Sequence, residues 1–236
     1  MCGRYTLIAK AEEVEKRFGV QVPALYVPRH NAAPGQQMPV ITNSNPQTLS
    51  YLHWGLIPSW AKDRNQGSTL INARSETAAV KPAFRNSFAQ RRCLVIADGF
   101  YEWKKLGGSQ KQPYRIHLPD ERLFAMAGLW ESWGDDHGMP IESFTILTVP
   151  ANSEVAPLHD RMPAILSPQH ENLWIRNDLS NGEYQAMLAT LPSGLISAYP
   201  VSNRVNNARI DDAELLRRTE PGSGQTGWLF DRDIGK

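Results

Sequence analysis

Cys2 stands directly behind the initiator position, in a Met1-Cys2-Gly3-Arg4 start. Initiator methionine is commonly trimmed ahead of a small residue, and trimming here leaves Cys2 with a free α-amine beside its thiol. An α-amine has an ordinary pKa of about 7.7–8.0 and a thiol one of about 8.5, so a usable fraction of the amine is unprotonated at neutral pH. A nearby base or desolvation raises that fraction. Such a 1,2-aminothiol condenses with an aldehyde to an imine, and the thiol then adds to the same carbon and closes a five-membered thiazolidine. The alternative is attack of the thiol on an acyl carbon with the α-amine as base, the pattern of N-terminal nucleophile hydrolases. A small residue at position 2 also arises by chance, and Cys2 alone does not decide among these. The second cysteine, Cys93, lies in the apolar run CLVIAD and reads as a packing thiol.

Four later segments carry residue types that serve such a centre. In Ile71-Asn72-Ala73-Arg74-Ser75-Glu76-Thr77 an amide and a guanidinium sit two residues apart, on one face of an extended chain. They suit a sugar or phosphate oxygen, and equally an Asx turn with Arg74 in solvent. In Asp98-Gly99-Phe100-Tyr101-Glu102-Trp103 the aromatic neighbours of Glu102 suit a carboxyl with a raised pKa, a working general acid or base. Strand alternation with Glu102 on the wet face is the other reading. Pro157-Leu158-His159-Asp160-Arg161-Met162-Pro163 offers a proton shuttle, a carboxylate to orient it and an anion contact, all in a loop between strands. In Trp54-Gly55-Leu56-Ile57-Pro58-Ser59-Trp60 a tryptophan beside proline suits stacking on an exposed base, or plugging a core.

Composition narrows the classes. The chain has 236 residues, 41% hydrophobic and 21% charged, enough for one large domain with a sizeable core. No apolar run reaches the roughly 18 residues of a membrane span, so an integral membrane protein is not expected. The start lacks a basic stretch followed by an apolar one, so no secretory signal is expected. Two cysteines make no disulfide framework and are expected as reduced thiols in the cytoplasm, near the nucleoid if the cell is bacterial. A net charge of +1 excludes a bulk polycation, so any positive face for nucleic acid must be local. The six histidines and two cysteines show no zinc-type spacing, and neither GxGxxG nor a P-loop is present. No metal and no cofactor are expected.

The elements that must position these residues are mostly strands. Met38–Asn43, Ser50–Ile57, Cys93–Asp98, Tyr114–Leu118, Leu123–Trp133, Phe144–Val149 and Ala164–Leu166 are largely β-branched or aromatic and end at turn formers. Ala11, Val14 and Phe18 predict a short amphipathic helix over 10–18. Pro82 suits the first position of a helix carrying Phe84 and Phe88, and Ser167-Pro168 opens one through Arg176. Gly182–Leu191 reads as another, and Asp211 with Glu214 resembles a capping box. Strands outnumber helices without alternating with them. The expectation is therefore an α+β fold, one domain over 1–218 with a mainly antiparallel, barrel-like β core and peripheral helices. Residues 219–236 read as a flexible C-terminal tail.

Taken in order, MCGRY at the start, RHNAAPGQ at 29–36, WGLIPSWAK at 54–62, INARSET at 71–77, DGFYEW at 98–103 and LHDRMPAIL at 158–166 resemble the SRAP family (SOS response-associated peptidase), also described as abasic-site processing proteins. The matches span about residues 1–205. The resemblance implies a compact domain with one positively lined cleft, and covalent capture of abasic sites in single-stranded DNA as a thiazolidine on Cys2. It implies that Asn72 hydrogen-bonds the captured sugar, Glu102 serves the Cys2 α-amine, and His159 protonates the ring oxygen as the sugar opens. Arg74 and Arg161 would grip flanking phosphates, with Arg4 a further contact. Pro34 and Trp60 would wedge against neighbouring bases. Expected partners are single-stranded DNA with abasic sites and neither membrane nor metal, for a monomer. The alternatives are an N-terminal-cysteine peptidase or amidase acting on Met1 or a leader, with Asn72 as oxyanion donor, and a reader of single-stranded or modified DNA that forms no bond.

Overall fold

A computed structural model describes residues 2–134 and 139–220. Its strands are β1 (Tyr5–Leu7), β2 (Arg29–Ala32), β3 (Gln37–Thr42), β4 (Asn45–Trp54), β5 (Asn72–Arg74), β6 (Arg92–Ala97), β7 (Gly99–Gly107), β8 (Gln110–His117), β9 (Phe124–Trp133), β10 (Ile141–Pro150), β11 (Arg161–Pro163) and β12 (Ser197–Pro200). The helices are α1 (Ala11–Phe18), α2 (Ser75–Ala78), α3 (Arg85–Gln90), α4 (Pro168–Trp174) and α5 (Asn181–Ala186). This is the α+β fold with a barrel-like core that the sequence predicts.

The barrel runs β10-β4-β3-β6-β9 and back to β10. An odd number of strands cannot alternate in direction all the way round. One neighbouring pair must be parallel, and it is β4 with β10, at His53↔Ser143 and Trp54↔Phe144. Every residue of β6 is buried, because its inner face fills the barrel while its outer face lies under α3 and α4. Trp174 of α4 seals that side, its indole N–H shared between Cys93 O at 3.1 Å and Gly128 O at 3.3 Å. Gly128 is obligatory there, since a Cβ would lie 2.7 Å from Cys93 Sγ. Cys93 is a fully buried free thiol, as its apolar run predicts.

A second, antiparallel sheet has the order β12-β8-β7-β1-β2. Asp98, between β6 of the barrel and β7 of this sheet, joins the two. Its buried carboxylate accepts from Thr6 Oγ1 and Ile8 N, each at 2.5 Å, and from Ala9 N at 3.3 Å. One side chain thereby clamps β1 and the segment after it. Tyr101 N donates to Arg4 O at 2.9 Å, so the residues ahead of β1 continue along β7 toward Glu102. The β5 and β11 strands both pair with β10, β5 in parallel and β11 antiparallel.

Several elements differ from expectation. The strand foreseen through Ile57 stops at Trp54, because Gly55 takes φ +134° and turns the chain inward. The strand foreseen at Ala164–Leu166 lies at Arg161–Pro163, and beyond it Ile165 makes only an isolated bridge to Met126. Pro82 sits in the turn before α3 rather than in its first turn, and the helix foreseen over 182–191 ends at Ala186. Asp212, not Asp211, caps the last short helical turn, accepting from Glu214 N at 3.1 Å. Asp211 instead accepts from His30 N and Asn31 N and pairs with Arg29. The helix over 11–18 forms as predicted: Glu13 reaches back to Lys10 N–H at 2.7 Å, and Gly19 at φ +68° ends it. Of the tail foreseen from 219, residues 221–236 lie outside the described residues.

Candidate active site and nucleic-acid interface

Four elements from two sheets bring four side chains together. The segment before β1 carries Cys2, β5 carries Asn72, β7 carries Glu102, and the loop ahead of β11 carries His159. Asn72 Nδ2 donates to Cys2 O at 2.8 Å, which ties the barrel side of the site to the amino terminus. The Asn72 carbonyl oxygen is buried and has no hydrogen-bond partner among the described residues. An acceptor in that state is costly unless something fills it.

Cys2 is fully buried. Burial pushes its thiol well above the ordinary range, and the nearby Glu102 carboxylate pushes it the same way. The group is therefore a thiol, not a thiolate. Glu102 is 2% exposed, and burial raises its carboxyl above the usual carboxylate value, with His159 close enough to oppose that shift. Of the two readings of Glu102 in its aromatic run, the buried one is the structure's.

His159 Nδ1 accepts from Arg161 N at 3.0 Å, which leaves Nε2 to carry the proton of a neutral ring. Asp160 Oδ1 lies 2.8 Å from the same Nδ1 and is largely exposed. Glu102 and His159 line a cleft of about 600 Å³ with Trp103, Lys105, Lys111, Pro157, Leu158 and Asp160. Cys2 and Asn72 do not line it.

The residues foreseen as nucleic-acid contacts divide. Arg74 is exposed, and among the described residues its guanidinium has no ion pair or hydrogen bond. Trp60 is 58% exposed, whereas Trp54 from the same motif is buried against Phe144 and Tyr5 with its indole N–H on Ile71 O at 3.0 Å. Pro34 lines a second groove with Gly35, Gln37, His53 and Arg64. Arg4 is half-buried and already engaged, donating to Asn31 Oδ1 at 3.0 Å and to Val205 O at 2.5 Å. Arg161 is 8% exposed and holds Glu76 with both terminal nitrogens, at 2.5 and 2.9 Å, as well as Thr148 O. In this state Arg161 fixes β11, and with it His159, rather than facing solvent. No motif flags Lys105 and Lys111; the Gly107-Gly108 turn between them is their one trace in the sequence. Among the described residues no three His, Cys, Asp or Glu side chains group to hold a metal ion.

The sequence profile of the SRAP family, SOS response associated peptidase, matches residues 1–208. "Abasic site processing protein YoaM" of Bacillus subtilis is 40% identical over 221 residues, covering 92% of this chain and 97% of the relative. "Abasic site processing protein YedK" of Escherichia coli is 32% identical over 228 residues, covering 92% and 99%. A crystal structure of a Bacteroides thetaiotaomicron protein superposes with a TM-score of 0.84 at 30% identity, covering 93% of this chain and all of that one.

Proposed function

The chain belongs to the SOS response associated peptidase family, and from that premise we propose that it processes abasic sites in single-stranded DNA by covalent capture on Cys2 once Met1 is removed. The observation that carries the proposal is the convergence on Cys2: Asn72 on its carbonyl at 2.8 Å, and the Glu102 carboxyl electrostatically coupled to its thiol. His159 is coupled in turn to Glu102. These are a positioning amide, a base and a proton donor around an aminothiol.

His159 acts as the imidazolium, held by Asp160 at Nδ1; its Nε2–H protonates the ring oxygen while the 1′-hydroxyl gives up its proton to water, and the sugar opens to its C1′ aldehyde and 4′-hydroxyl. Glu102 takes a proton from the Cys2 ammonium, and the amine adds to C1′ with loss of one water to give an imine. The protonated imine carbon then accepts the sulfur. Glu102 returns its proton as water leaves and then takes the thiol hydrogen as sulfur adds, so the former imine nitrogen ends as a secondary amine and the net release from the ammonium form is one water and one proton. The buried acceptor of Asn72 receives the 4′-hydroxyl freed by ring opening. In this order the amine attacks first, and sulfur meets an already activated carbon. One hydrogen of the Asn72 amide is already given to Cys2 O, which weakens its candidacy as an oxyanion donor.

The test is a single-stranded oligonucleotide with one abasic site, mixed with protein whose loss of Met1 is verified by mass. A heat-stable retarded band on a denaturing gel, absent from Cys2→Ala and from protein with an amino-terminal extension, is the expected result. No band from the processed wild-type chain sinks the proposal. Turnover of peptides by that same chain would establish the hydrolase instead.

A further inference from the structure

We propose that Lys105 and Lys111 form a phosphate clamp that holds the DNA backbone beside the captured sugar. The inference rests on the cleft taking DNA, as proposed above, and extends it to residues that no sequence motif marks.

The hairpin β7–β8 pairs Lys105 directly with Lys111. Directly opposed residues on an antiparallel pair project to the same face with Cβ atoms about 4.5–5.5 Å apart, and like charges so placed repel. Both lysines are exposed and both line the cleft that holds Glu102 and His159. Among the described residues neither ammonium has an ion pair or hydrogen bond to relieve the repulsion. The carboxylates of the cleft are engaged elsewhere, Asp160 at His159 and Glu102 deep in the site. Two unrelieved cations held side by side by strand register are a site for an anion between them.

The rest of the lining identifies that anion. Trp103, Ala156, Pro157 and Leu158 give the cleft an apolar wall. The Trp103 indole is fixed by its N–H on Asn206 Oδ1 at 2.7 Å. A wall for a base, next to two lysines for a phosphate, fits one nucleotide of a single strand rather than a free anion or an acidic peptide. Lysine supplies point charges without base readout, so the clamp is indifferent to sequence.

The experiment compares wild type with the double variant Lys105→Gln/Lys111→Gln and the double variant Lys105→Arg/Lys111→Arg. The probe is a short unmodified oligothymidylate, followed by fluorescence anisotropy over a salt series. Loss of two phosphate contacts on a single strand makes the slope of log affinity against log salt shallower by about 1.4. The glutamine pair is expected to show that change, the arginine pair to retain the wild-type slope, and the glutamine pair to melt no lower than wild type because a repulsion has gone. An unchanged slope in the glutamine pair, or a fall in its melting temperature that accounts for weaker binding, overturns the clamp. Because the probe lacks an abasic site, the two proposals separate. Crosslinking by wild type with no slope change refutes the clamp alone. A lysine-dependent slope without any crosslinking supports the clamp and refutes covalent capture. A wild-type chain that ignores the oligonucleotide refutes the clamp outright.

Discussion

The role proposed for Glu102 and its cost in stability fall on one side chain. Burial raises its carboxyl above the usual carboxylate value of about 4.5, so it stays protonated to a higher pH than an exposed glutamate. In the proposed capture it is the base for the Cys2 ammonium and acts only when ionised. The crosslinking rate should therefore fall as pH drops through that raised value, an acid limb at higher pH than ordinary glutamate gives. Glu102→Gln should remove the limb and slow capture by about a hundredfold or more, the scale of general acid–base catalysis. Linkage fixes the sign for stability. A folded value above the unfolded one contributes stability below about pH 4.5 that is lost as pH rises through the folded value. Glu102→Gln should thus melt with wild type near pH 4 and above it at neutral pH. Rate against pH and melting against pH check the two halves, and a variant that melts below wild type at neutral pH would contradict the second. The aromatic neighbours that make Glu102 conspicuous were legible in DGFYEW. Which face it takes was not, because that depends on β1 closing over β7 from far along the chain.

Between elements, the pair of Glu76 and Arg161 does the positioning. Glu76 follows directly on β5, which carries Asn72, while Arg161 opens β11 and gives its backbone N–H to His159. Their ion pair locks two strands that meet only through β10. The Arg161 hydrogen bond holds the Glu76 carboxyl below the ordinary range. The contribution of Glu76 to stability is therefore complete above its unfolded value and lost as pH falls through the lower folded one. Glu76→Gln should destabilise at neutral pH, since it leaves Arg161 nearly buried without its counter-charge. It should also slow capture through a displaced His159. The stability gap from wild type should close as pH drops below that of ordinary glutamate; a gap that persists unchanged in acid would show the effect is steric. Little of this was readable in advance. The guanidinium type of Arg161 suggests an anion, but its partner lies 85 residues away in sequence. Apart from β7, the strands that build the site, β1, β5 and β11, are three residues each. That is too short for period-two alternation to register, and they exist only because β7 and β10 offer edges. The long barrel strands β6 and β9 were legible for the opposite reason, since continuous burial imposes continuous apolar runs.

At the scale of the whole molecule, the barrel supplies rigidity and the charge distribution supplies the encounter. With a net charge of +1 there is no long-range field to draw in a polyanion. In the proposed encounter the cations that draw the strand to the site are Arg74 and the hairpin lysines, each screened within about 8 Å at physiological salt. Reversible binding should therefore be weak and steeply salt-dependent for so nearly neutral a protein. The proposed thiazolidine would not depend on those contacts, since two covalent bonds to C1′ persist whatever the ionic strength. The expected outcome is a dissociation between two stages of one reaction. Raising salt before mixing should lower the crosslinking rate at limiting protein, while raising it to the same level after the adduct has formed should leave the denaturing-gel yield unchanged. A time course with salt added early or late, with wild type and Cys2→Ala in parallel, measures both. Loss of a preformed adduct on late addition would mean that the hold is electrostatic, and that Cys2 sits at the centre of a binding site rather than a reacting one. A rate insensitive to early salt would mean that the exposed cations contribute nothing, and that shape and stacking at Trp60 and Trp103 alone bring the lesion to the amine.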